Sequence, residues 1–70
     1  MTLKHNTGHS TFTTHRNNTP VVVNFLHVSH IIRDEKQGGS WIWFISGKSI
    51  HVTEGFDSAH SEFSTFIENY

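Results

Sequence analysis

Residues Trp41-Ile42-Trp43-Phe44-Ile45 are apolar at every position. A Ser46-Gly47-Lys48 turn separates them from a second β-prone run, Ser49-Ile50-His51-Val52-Thr53. Two such runs around a short glycine-containing turn predict an antiparallel hairpin. Alternate strand residues point to opposite faces, so Trp41, Trp43 and Ile45 share one side and Ile42 and Phe44 the other. A strand that is apolar on both faces must be covered on both. A helix of the same chain supplies one cover, but a chain of 70 residues has little material left for a second. The expectation is a partner surface over Trp41, Trp43 and Ile45, with Arg33 and Lys48 as its polar rim.

Length sharpens that expectation. A domain of this size buries only roughly 60 % of its unfolded surface and commonly relies on disulfides, metals or association. Cysteine is absent, which removes disulfides and thiolate metal sites and leaves association as the expected source of extra stability. Five Lys and Arg against six Asp and Glu form no basic stripe, so sequence-independent binding to a phosphate backbone is poorly supported. Seven histidines make the charge sensitive to pH near the imidazole range. No apolar run reaches membrane-spanning length and the N-terminus lacks the apolar segment of a signal peptide, so the expected location is cytoplasmic with no membrane partner.

Residues 1–10 are polar and read as a flexible arm ahead of a single domain over residues 11–70. Within the domain, Thr11–His15 and Pro20–Asn24 read as strands around an Asn17-Asn18 turn, because asparagine tolerates positive φ. Pro20 lacks an amide proton and belongs at a strand start or an edge. Phe25-Leu26-His27 turns the chain into a third strand, Val28–Arg33, whose alternation is imperfect. The charged Asp34–Gly39 segment then leads into the tryptophan hairpin. The period finally changes: Ala59, Phe63, Phe66, Ile67 and Tyr70 recur at helical steps, with Asp57 or Ser58 as the cap and Phe56 before it. The fold class is therefore α+β: a four- or five-stranded antiparallel meander with one C-terminal helix, curling toward a small barrel.

In this order of elements the chain resembles the small flagellar-regulator family FlbD (SwrD in swarming bacteria). The matching residues are Asn17-Asn18, Val23-Asn24, Val28-x-x-Ile31, Asp34-Glu35, Ser46-Gly47-Lys48 and Val52-Thr53-Glu54. The similarity runs roughly from Phe12 to Ile67. Departures are the histidine-bearing arm, the Trp-x-Trp strand, and Asn18 where the family usually carries glycine. The matched positions are mostly turn and core residues, so the resemblance implies a fold and, beyond it, a role in motility.

Motifs for chemistry are sparse. His27-x-x-His30 would converge on a helix, whereas strand positions three apart face opposite sides, and zinc sites usually need three or four ligands. The histidines are accordingly expected at the surface or in loops. No Gly-x-Ser-x-Gly elbow is present, and neither Gly38-Gly39 nor Gly47-Lys48 opens a phosphate loop. Asp34 and Glu35 are expected in a solvated loop beside Lys36. The reading is a small non-catalytic regulatory protein without cofactor or metal, acting through protein–protein contacts, including contacts with itself as a homo-oligomer. The alternative is a nucleic-acid-binding regulator that stacks bases on the aromatic face, with Arg16, Arg33, Lys36 and Lys48 on phosphates.

Overall fold

The computed structural model describes residues 8–69. Its elements run β1 (His9–Thr13), β2 (Pro20–Asn24), a 3-10 turn (Phe25–His27), β3 (Val28–Arg33), β4 (Ser40–Phe44), β5 (Ser49–Val52) and α1 (Phe56–Asn69). The strands are antiparallel and form a two-stranded sheet, β1-β2, and a three-stranded sheet, β3-β4-β5. The α+β meander with a C-terminal helix is thus observed, with five strands.

The two sheets are stitched along one seam. Thr14 bridges Val52, the His15 amide donates to the His51 carbonyl at 2.8 Å, and the Thr53 amide donates to the Thr13 carbonyl at 2.8 Å. On the other side the chain passes from β2 to β3 through the 3-10 turn, so the curvature stops short of a closed barrel, which corrects the barrel-like expectation. The expected arm over residues 1–10 is corrected at its end. His9 and Ser10 already pair with Asn24 and Val23, and the Phe25 amide donates to the Gly8 carbonyl at 2.8 Å. The rest of the arm, residues 1–7, and Tyr70 lie outside the described residues.

Local chemistry accounts for the turns. Asn18 takes a φ of 54° where the β1–β2 loop closes through a hydrogen bond from the Thr14 amide to the Thr19 carbonyl. Pro20 is the first residue of β2, which among the described residues pairs only with β1, so its missing donor costs no ladder bond. A register shift between Val28 and His30 explains the imperfect alternation of β3. The extra residue of a bulge lets Val28 and Ile31 both face the core, while Ser29, His30 and Ile32 are exposed.

The core consists of Phe12, Val23, Phe25, Val28, Ile42, Val52 and Ala59, flanked by Val21, Ile31, Phe44, Ile50, Phe63 and Phe66. Phe25, expected only to turn the chain, is its aromatic hub, 6.2 Å from Phe12 in an edge contact and 5.6 and 5.7 Å from Phe63 and Phe66. Full burial of such a ring contributes about 1.5–3 kcal/mol. Buried Ser40 satisfies its hydroxyl by donating to the Glu54 carbonyl at 2.8 Å, and the Glu54 carboxylate accepts from the Thr13 amide at 3.0 Å.

The helix starts at Phe56 rather than after Asp57 or Ser58, with the Ala59 amide donating back to the Gly55 carbonyl at 3.0 Å. Asp57 therefore sits in the first turn, where a carboxylate favours the positive end of the helix dipole. Ala59, Phe63 and Phe66 face the sheet as expected. Ile67 does not; it is 57 % exposed, because at 100° per residue it lies about 80° round the helix from Ala59, at the margin of the stripe.

Candidate functional site: the outer face of the three-stranded sheet

Strand register arranges the outer face of β3-β4-β5 in two cross-strand rows. Ile32, Trp41 and His51 form one, and His30, Trp43 and Ser49 form the other. Ile42, by contrast, is fully buried and Phe44 packs on the core, so the two faces of β4 divide as the alternation predicts.

Both indoles are half-buried, and their cover is histidine. The His51 ring stacks on Trp41 at 4.5 Å between centroids and 4° between planes, and His15 stacks on His51 at 4.2 Å and 12°. The His30 ring lies parallel to Trp43 at 5.8 Å and 7°. His30 is fixed in turn by a 2.7 Å hydrogen bond between its Nδ1 and the Ser29 hydroxyl. Flat imidazoles match flat indoles and leave a polar edge for water, so they shield the tryptophans without a second apolar layer.

Asp34 holds the first row together. Its Oδ1 accepts the backbone amides of Lys36 at 2.9 Å and Gln37 at 3.0 Å. Its Oδ2 accepts the Trp41 Nε1–H at 3.0 Å and lies 3.2 Å from the His51 Nε2. That Nε2 is also 3.0 Å from the Gly38 carbonyl oxygen. Both neighbours are acceptors, so Nε2 carries a hydrogen. Four donors converge on one carboxylate. The Gln37 amide and then that of Lys36 do most to hold its pKa below the ordinary aspartate value; desolvation opposes them, and the Trp41 and His51 side chains add smaller lowering effects. The expectation of a solvated Asp34 is therefore corrected: its side chain is only 11 % exposed, because the loop folds back onto the sheet.

The structure brings Trp41 and Trp43 together and does not gather Ile45, Lys48 and Arg33 with them. Ile45 lies just past the end of β4, 70 % exposed, where its amide donates to the His27 carbonyl at 2.8 Å. His27, Phe44, Ile45 and Ser46 line a shallow groove of about 390 Å³ there. Lys48 is exposed in the β4–β5 turn. Arg33 sits away from the tryptophan rows, beside the helix, with its guanidinium 5.2 Å over the Phe56 ring and 3.8 Å from the Asp57 carboxylate.

Two open grooves flank Trp41. One, of about 470 Å³, is lined by Ile32, Trp41, Trp43 and Ser49. The other, of about 560 Å³, lies on the His51 side beneath the β1–β2 turn. Among the described residues no three His, Cys, Asp or Glu side chains converge on a point that could hold a metal ion, and no helix is long and apolar enough to cross a membrane.

Sequence reasoning weighed His30 and Asp34 and set them aside as surface or loop residues, and gave His15 and His51 no role. The signal for His51 is the hairpin turn itself: once Trp43 pairs with Ser49 around Gly47, Trp41 must face His51. No matching family model, curated protein or solved structure was found for the chain, so its likeness to the flagellar regulators rests on the sequence motifs alone.

Proposed function

We propose that this is a small non-catalytic binding protein of regulatory type that acts through protein–protein contacts on the outer face of β3-β4-β5, including contacts with a second copy of itself. One observation carries the reading. The histidine plating is incomplete: Ile32, the cross-strand neighbour of Trp41, is 46 % exposed and Ile45, past the end of β4, 70 % exposed, and an apolar groove lined by Ile32, Trp41, Trp43 and Ser49 opens between the indoles. Half-exposed tryptophans with aliphatic neighbours are the composition that anchors protein interfaces. A cytoplasmic location in a bacterial or phage setting belongs to the same reading.

The nucleic-acid alternative is less well supported as an extended binding track. It needs Arg16, Arg33, Lys36 and Lys48 along one aromatic surface, and Arg33 is engaged with Phe56 and Asp57 beside the helix.

Sedimentation over a wide concentration range tests the proposal. The wild-type chain is expected to gain mass with concentration, and Ile32→Glu and Ile45→Glu to stay monomeric with unchanged circular dichroism. A wild-type chain that remains monomeric throughout, and captures no protein that Ile32→Glu fails to capture, would overturn it.

A further inference from the structure

We propose that the groove beneath the β1–β2 turn is a nucleotide site, in which a planar heteroaromatic ring lies against the His15–His51–Trp41 stack while its phosphate rests on Arg16. This goes beyond the protein-contact reading, which uses the groove between the indoles on the other side of Trp41.

Shape, surface and charge lead to the same ligand class. The groove encloses about 560 Å³, within the range of small-molecule sites. Three of its residues contribute rings that already lie parallel, with planes 12° and 4° apart. Such a stack accepts a further flat π-system whatever the pattern of its edge. Around the rings stand Arg16, Asn17 and Gln37. The two carboxamides offer donors and acceptors of the kind a base edge requires, and the guanidinium offers a planar fork for phosphate.

The charge on the groove lining favours an anionic group beside Arg16. Among the described residues that line the groove there is no carboxylate. Asp34, bonded to both Trp41 and His51, has its two oxygens occupied by four donors. Arg16 is exposed and, among the described residues, has no acidic partner. The groove lining thus presents the Arg16 charge directly, while the Asp34 carboxylate stands behind the aromatic wall with its oxygens turned to its own donors. One cation suits one phosphate rather than a tract, so the dependence on salt should correspond to about one released counterion.

The same chemistry could come from a free mononucleotide or from one residue of a single strand, and a titration of the full-length protein distinguishes them. Adenosine 5′-monophosphate, adenosine, inorganic phosphate and a short oligodeoxyadenylate are added separately while the Trp41 indole and Arg16 amide resonances are followed by NMR. The monophosphate is expected to shift both saturably, with adenosine and phosphate each weaker by about tenfold or more. Arg16→Ala, at an exposed turn, should weaken the monophosphate about tenfold with the dispersion of the spectrum unchanged. His15→Ala should weaken both adenosine and its monophosphate by about fivefold or more, and Ile32→Glu should leave binding as it is. An oligonucleotide that binds more tightly than the monophosphate assigns the site to a strand, and one that binds no more tightly assigns it to the free nucleotide. Absence of saturable shifts with either up to about 10 mM, or equal binding by Arg16→Ala, would overturn the site.

Discussion

His51 and Trp41 stand opposite each other in the β4–β5 register and stack with their planes 4° apart, and both rings point a nitrogen at the same atom, Oδ2 of Asp34. The contact ties three segments that are separate in sequence: the β3–β4 loop, the central strand and its neighbour. His15 adds a fourth, since its ring lies on His51 and its amide is bonded to the His51 carbonyl. The seam between the two sheets is thus reinforced by side chains on the outer face as well as by backbone bonds.

The pH dependence follows from the donors on Asp34. Its carboxylate has a lowered pKa in the folded chain, so the unfolded chain binds the proton more readily. The contribution to stability is complete above the ordinary aspartate value of about 3.9 and is lost as pH falls through the lower folded value. Thermal melts between about pH 5 and 2.5 should show Tm falling with acid in the wild type. Asp34→Asn should have a lower Tm at neutral pH and a shallower fall, with the Trp41 indole resonance displaced.

Phe25→Ala should prevent stable folding. The ring is 2 % exposed and contacts Phe12, Phe63 and Phe66, so truncation costs about 3–5 kcal/mol. That is comparable with the whole stability expected of a chain this short. Phe25→Leu, which retains much of the volume, should remain folded with a reduced urea midpoint.

Gly38 and Gly39 separate two roles of glycine. Both have positive φ, 81° and 73°. A Cβ on Gly38 would meet open space, so Gly38→Ala should cost about 1 kcal/mol for the left-handed backbone alone. A Cβ on Gly39 would collide with the Val52 carbonyl oxygen, which belongs to the strand that pairs with Ser40. Gly39→Ala should therefore be far more damaging, a contrast that urea unfolding of the two variants measures directly.

Arg33→Ala should change little. The ion pair with Asp57 spans 3.8 Å between side chains 56 % and 97 % exposed, so its loss should cost less than about 1 kcal/mol even with the stacking on Phe56. Self-association should persist in this variant while it fails in Ile32→Glu. Equal loss in both would extend the contact surface round the β3 edge to the helix side.

Much of the architecture is legible in the residue order. The glycine turn at Gly47, the asparagine at positive φ, the proline at a strand start, the alternation in β4 and the helical stripe of Ala59, Phe63 and Phe66 are consequences of steric and periodic rules that act over a few residues. The errors fall at element margins and where distance along the chain is large. The helix begins at Phe56 because Gly55 accepts its first bond, and Ile67 lies at the edge of a stripe whose width depends on the sheet beneath it. Phe25 looks like a connector until Phe12, Phe63 and Phe66 surround it.

The candidate site divides the same way. Composition and alternation alone determined that Trp41 and Trp43 share one face and that Ile42 and Phe44 share the other. Only tertiary structure decided what lies on the indoles, because that depends on cross-strand register and on the seam that carries His15 to β5. Side-chain periodicity is a property of one strand, whereas the partner of each ring is chosen by how strands align. The histidines became cover for the tryptophans, and Asp34 their anchor, when separate turns brought these residues together.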